Sequence, residues 1–420
     1  MKVDFCLLSI FISTLLINLI YTVISPFYPI IAQDKGMPDW LVGVVFMIMP
    51  ACGFLVSPTI GENLSHIGRR NVLALGMVFG AISLIILTIV SNYSLTIFTF
   101  LSLVSRALGG IGVSAVYIAG FSIIVNDYNS TKDQNISTLE VFSGFGMMIG
   151  PVFGSFCYNF LGAGGCFTLS AILHLLPLPM ILMYIKNKSP EIEEKEEITC
   201  WGLLKKRSIF LDIMVGLFTN IVYNFFDPCL GPFLKNEGYS DLEIGYVFMA
   251  STIAYTLGSI YLVFYLKNAN KHLLMLISVA LAIIGLAMTG PLEQIMKQPI
   301  LSALGMCLIA LGGCLGFIIP LPYILDSAED LGIPEGSQLY DSLSTVFNCS
   351  ISLGEILGPL FAGILVSMIG FSSSCTLMGI FGFIFLIWYV ALRKTNPSKL
   401  NIVNTYTPEA SIEMASLHEV

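Results

Sequence analysis

Apolar residues dominate the chain in long runs, and the polar residues gather in the short gaps between them. Twelve runs stand out, at about 5–31, 40–62, 72–91, 95–125, 136–161, 165–185, 208–233, 241–266, 272–291, 299–325, 338–368 and 372–393. About 20 apolar residues wound as a helix cross roughly 30 Å of hydrocarbon, so the pattern predicts twelve membrane-spanning helices. The first run is too long for a removable leader and lacks a small-residue cleavage site, so it is read as the first span.

Polar residues inside the runs fall at helical spacing, where i, i+3, i+4 and i+7 share a face. In the seventh run Asn220, Tyr223, Asn224 and Asp227 form such a stripe, and in the first run Asn18, Tyr21, Thr22 and Ser25 form another. The eleventh run carries Asp341, Ser344, Thr345, Asn348, Ser352 and Glu355, and the fifth offers Glu140 and Ser143. Carboxylates facing lipid are costly, so these stripes are expected to face a polar path within the protein.

The chain is also written twice. A shift of 202 residues brings Asn18 onto Asn220, Tyr21 onto Tyr223, Pro26 onto Pro228, Gly36 onto Gly238, Asp39 onto Asp241 and Gly43 onto Gly245. A shift of 208 brings Gly146, Gly150, Pro151 and Gly162 onto Gly354, Gly358, Pro359 and Gly370. Two repeats of six spans in the same orientation place a substrate site near the midplane where the halves meet. The expected organisation is an N-terminal bundle at 1–185, a hydrophilic linker at 186–207, a C-terminal bundle at 208–393 and a tail at 394–420. The fold class is an all-α membrane protein of two pseudo-symmetric six-helix bundles.

Composition agrees with lipid as the solvent, since 56% of residues are hydrophobic and 11% charged. Fifteen of the 19 basic residues fall on the side of the termini, Lys35, Lys235 and Lys297 fall on the other, and Arg106 lies within a span. This bias predicts cytosolic termini. The net charge of −8 resides largely in dispersed loop acids. The cysteines lie mostly in apolar runs and read as small buried hydrophobes. No nucleotide-binding loop, metal-ligand cluster or nucleophile–base pair appears, which excludes ATP-driven pumping and membrane enzymology and leaves gradient-driven transport.

Several local motifs carry a resemblance. "GENLSHIGRR" resembles the G-x-L-a-D-r-x-G-r-R/K cytoplasmic motif of the major facilitator superfamily at Gly61, Gly68, Arg69 and Arg70, with Ser65 where the family usually has Asp. "RALGGIGVSA" resembles the family's fourth-span arginine motif and points to Arg106 as a coupling or gating residue, with helix bracing as the other reading. "GMMIGPVFGS" resembles the antiporter pattern at Gly146, Gly150, Pro151 and Gly154, where the glycines also suit close helix packing. "SPFYP", "LEVFSGFGMMIGP" and "FFDPCLGPF" look most like the vesicular amine transporter family, nearest its polyamine branch.

That resemblance implies a proton-coupled antiporter of an organic cation, a polyamine or other amine, in a vesicle or another acidic organelle. Within the spans Arg106 stands against Asp227, Glu140 and Glu355, a balance that favours a cation. Asp227 is the expected meeting place of proton and substrate, with Tyr223 placed for cation–π contact. Amine-carrying relatives keep an acid at the position of Asn348, whose repeat partner is Glu140. Expected partners are a small cationic substrate, protons and the bilayer, with no nucleic acid, cofactor or metal, and the expected state is a monomer. A drug exporter of the same fold and a transport-dead receptor or scaffold are the alternatives.

Overall fold

The computed structural model describes residues 4–90, 93–128, 131–186, 204–265, 270–292, 298–330 and 337–394. Most of the expected linker and nearly all of the tail lie outside the described residues. So do the side chains of Ser65, Glu140, Asp341, Ser344 and Thr345.

Each apolar run is helical. The first span is Phe5–Thr22 followed, after a break, by the short helix Tyr28–Asp34. The seventh repeats this plan as Arg207–Phe225 and Leu230–Asn236. The second, third and fourth spans are Asp39–Ile67, Arg69–Val90 and Leu95–Asp127. The fifth and sixth spans are two helices that meet at Gly162 within the stretch Lys132–Leu175, the sixth continued by Pro177–Tyr184. Gly162, at φ 68° and ψ 178°, turns the chain inside that stretch, so length and hydropathy alone give eleven candidate spans where the chain crosses twelve times. A side chain would strain that backbone, and its repeat partner Gly370, at φ 78°, separates the eleventh and twelfth spans.

The eighth and ninth spans are Asp241–Tyr265 and Lys271–Ala287, the ninth ending in a π-helical turn at Met288–Leu292. The tenth, eleventh and twelfth are Pro299–Ile318 with Pro320–Asp330, Ser337–Ile369, and Phe371–Lys394. One large apolar core draws on residues 10–185, while three others draw on the later half of the chain with Ile30 as the single visitor.

Small residues set the helix contacts. A Cβ on Gly146 or Gly154 would meet the carbonyl oxygen of Leu15 or Val23 on the first span, and one on Gly150 would meet Thr22. In the other half Gly354 packs on Asn220, where a Cβ would lie 2.6 Å from the asparagine Cβ, and Gly358 packs on the Ile221 carbonyl, 2.7 Å away. The 202 and 208 shifts thus describe one packed pair of helices, used twice.

The halves meet on the side opposite the termini. There Gly43 of the second span lies against Pro359 and Gly363 of the eleventh, and Gly245 of the eighth lies against Ser155 of the fifth, 2.6 Å from an added Cβ. The short helices after the two breaks also touch, with Gly231 against the Pro26 carbonyl. Gln33 donates to Asp39 at 2.5 Å in the first half, and its repeat partner Lys235 donates to Asp241 at 2.7 Å.

Candidate functional site

The first and seventh spans break because proline cannot donate to the helical ladder, and Pro26 and Pro228 stand within the two interruptions. Asn220, Tyr223 and Asn224 remain on the helix as the spacing predicts, but Asp227 lies past its end, in the break. Its repeat partner Ser25 lies in the matching break of the first span.

These two breaks face one another. Ser25 sits beside the Asp227 carboxylate without closing a hydrogen bond, and its Oγ is buried with no partner. Tyr21 has Glu355, Asp227, Arg106 and Tyr223 as electrostatic neighbours, and Glu355 has Asp227. The first, fourth, seventh and eleventh spans therefore contribute charged or polar groups to one place at the junction of the halves. Asp227, Glu355, Tyr21 and Tyr223 are deep in the protein yet partly exposed, the behaviour of side chains that line a cleft.

Arg106 is 1% exposed. Its Nη1 donates to the Ile20 carbonyl at 3.2 Å and its Nη2 to the Tyr21 carbonyl at 3.5 Å. The break supplies the second acceptor, because the Ser25 N–H bonds Thr22 and leaves the Tyr21 carbonyl without that helical donor. The rings of Tyr21 and Phe46 flank the guanidinium at 5.9 and 5.8 Å. In this conformation Arg106 braces the bent first span while its charge is felt at Asp227.

The asparagines are less free than the stripe suggests. Asn220 donates to the Gly216 carbonyl at 3.1 Å and Asn224 to the Asn220 carbonyl at 2.9 Å, both within their own helix. Asn18 donates to Thr14 at 2.8 Å and to the Tyr117 hydroxyl at 3.0 Å, and that hydroxyl is also bonded to Ser143. Tyr117 was not foreseen, since the fourth span drew notice only through its arginine. Asn348 is exposed, and Glu140 lies on the fifth span with its side chain outside the described set.

The residues of the two glycine-containing motifs are placed as follows. Gly68 ends the second span, Gly61 faces open space, Arg70 is partly buried, and Arg69 pairs with Asp127 at 3.6 Å. Gly146, Gly150 and Gly154 are contact points against the first span, with buried Pro151 among them, which is the close-packing reading of that motif.

One charged group escaped the reading of the chain. Asp212 lies within the seventh span and is fully buried, yet the tally of intramembrane charges omitted it. Its Oδ1 accepts from the Tyr389 hydroxyl at 3.0 Å, and its Oδ2 accepts from Arg393 Nη2 at 3.0 Å and from Ser327 Oγ at 3.3 Å. Arg393, counted among the boundary cations, is in the last turn of the twelfth span. An aspartate in an apolar run was the available signal; its partner, 181 residues away, was not readable.

Two repeats of broken and unbroken spans around a shared polar cleft are a transporter's architecture. The Major Facilitator Superfamily model matches residues 10–333. The chain belongs to this superfamily. The major facilitator chain is 26% identical over 403 residues to the human MFS-type transporter SLC18B1, spanning 92% of this chain and 86% of that protein. It is 22% identical over 412 residues to the mouse vesicular acetylcholine transporter, spanning 95% and 74%. A bacterial homologue of the human lysosomal transporter Spinster, solved inward-facing and occupied, superposes with a TM-score of 0.74 at 15% identity, covering 93% of this chain and 96% of that one. The chain is accordingly a multi-pass membrane transporter similar to the vesicular amine transporters, and not an enzyme.

Proposed function

We propose that this major facilitator protein is a proton-coupled antiporter that moves an organic cation, a polyamine or other amine, into an acidic organelle, with both termini in the cytosol. The observation that carries the reading is the meeting of Asp227 and Glu355 with Tyr21 and Arg106 where the halves join. Two carboxylates against one guanidinium leave the cleft short of positive charge. A carboxylate away from bulk water is stable only with a proton or a cation beside it, so each can displace the other there. Tyr21 and Tyr223 add ring faces for an ammonium group. Similarity to transporters named for acetylcholine and for synaptic vesicle amines supports the cation class and the vesicular setting.

In sealed proteoliposomes with an imposed pH gradient, purified protein is expected to take up radiolabelled spermidine or a monoamine and to ignore dicarboxylates and sugar phosphates. Saturable dicarboxylate uptake would end the cation reading. A protease site inserted in the 186–207 linker is expected to be cut only from the cytosolic side, and cleavage from outside intact cells reverses the topology.

A further inference from the structure

Beneath the cleft, toward the termini, the two halves fill equivalent places with different chemistry. Under the repeat shifts Asp212, Tyr389 and Arg393 correspond to Ile10, Ile181 and Ile185. All three isoleucines are buried, at 0%, 0% and 3% exposure, and belong to the apolar core of the first half. The second half replaces them with a carboxylate held by Tyr389, Arg393 and Ser327. Arg393 is further stacked on Tyr323 at 4.7 Å, and the His272 ring lies 5.8 Å from that of Tyr389. Beside this group Lys271 pairs with Asp326 at 2.6 Å.

The first half shows that apolar packing is sufficient at this location, and buried ion pairs are often no more stabilising than well-packed apolar groups. What the charged version adds is direction. Asp212 is tied to the tenth and twelfth spans by hydrogen bonds that tolerate little rotation or sliding. The lower helix of the seventh span, Arg207–Phe225, is thereby fixed to its own half, while the upper helix, Leu230–Asn236, bears on both halves, on its own through Phe233 stacked on Phe371 at 4.1 Å and on the other through Gly231 and Pro26. Between the two helices lies only the break at 226–229, and Asp227 is in it.

We infer that Asp212, with Tyr389, Arg393 and Ser327, is a positioning network that anchors the lower seventh span, so that rocking of the halves is absorbed at the 226–229 break and moves Asp227. This rests on the reading of Asp227 as the coupling carboxylate. Without the anchor the lower helix keeps only its apolar and glycine contacts with its own half, at Gly354 and Gly358 among others, which resist sliding less, so rocking moves Asp227 less relative to Tyr223 and Glu355.

The test transfers the first half's own solution into the second by the triple substitution Asp212→Ile, Tyr389→Ile and Arg393→Ile. Spermidine uptake driven by a pH gradient is measured per folded molecule, together with the distance between spin labels at the exposed repeat partners Asp34 and Asn236. The expected result is a turnover about tenfold lower, a KM within about twofold of wild type, and an unchanged distribution of the Asp34–Asn236 label distance, the signature of lost coupling rather than lost binding or rocking. Wild-type turnover in the triple variant overturns the inference, as does a KM change alone. Should the triple variant fail to fold, Asp212→Asn and Tyr389→Phe keep the shape, and both are expected to lower turnover at constant KM, with partial rescue by Asp212→Glu in place of Asp212→Asn. Wild-type turnover in both single variants likewise refutes it. Asp227→Asn run alongside separates the two claims, because normal gradient-driven uptake there removes the coupling role whatever the anchor variants do.

Discussion

The first and seventh spans break at matching places, after Thr22 and after Phe225, and each carries a proline in the break; the residue before that proline is Ser25 in one and Asp227 in the other. The backbone event is common to both halves, since proline withdraws the same donor in each. The charge is not. Symmetry supplies a pair of facing bends at the junction, and two departures from it, Asp227 opposite Ser25 and Glu355 opposite Met147, make the second half's side of the junction acidic. Bends and chemistry can therefore be altered separately.

The largest effect is expected from Asp227→Asn, which keeps the bend and removes the charge. Loss of a charge-assisted contact of up to about 3 kcal/mol corresponds to about a 100-fold fall in gradient-driven uptake. Wild-type uptake would instead make Asp227 a stabiliser of the break. Moving the carboxylate across the junction, with Ser25→Asp in the Asp227→Ser background, sharpens the contrast: uptake is expected to stay low because Glu355 and Tyr223 belong to the seventh-span side. Next in size is Glu355→Gln, expected to raise KM for a cation about tenfold, the equivalent of about 1.4 kcal/mol. An unchanged KM would take Glu355 out of the binding cleft.

Stability separates the halves less. Gly146→Ala and Gly354→Ala are equivalent by repeat, and overpacking of this kind destabilises by about 1–3 kcal/mol. Gly146→Ala is expected to be the worse in a thermal-shift assay, because its Cβ meets a backbone carbonyl whereas that of Gly354→Ala meets the Asn220 side chain first. The reverse order would mean that the first span yields more readily than the seventh. Smallest is Lys235→Gln, which installs the residue found at Gln33. An exposed ion pair contributes about 0–1 kcal/mol, so melting temperature and uptake should both remain close to wild type.

Repetition made the scaffold legible. Gly146 against the first span and Gly354 against the seventh could be anticipated because the same spacing occurs twice. Polar stripes identified Tyr223 and Asp227 but not what their neighbours do, since Asn220 and Asn224 bond their own helix and Asn18 turns to Tyr117. The turn between the fifth and sixth spans was legible as well, because the runs divide on either side of Gly162 and that glycine recurs as Gly370. Asp212 was lost for the opposite reason. Repeats draw attention to what recurs, and Ile10 in the first half gives no hint of an acid in the second.

The closed side of the molecule has one more consequence, drawn from Gly43 resting on Pro359 and Gly363 and Gly245 on Ser155. Attraction between opposite charges reaches about 10 Å at ordinary salt. Dispersion between touching atoms has no such range, and a gap of about 0.5–1 Å already forfeits a quarter to a half of it. Where such small residues close it, the seam therefore has almost no grip on a partner that has begun to leave, and it gives way there as a threshold rather than by degrees, leaving any longer reach to charges such as Lys235, which feels Asp34 across the halves.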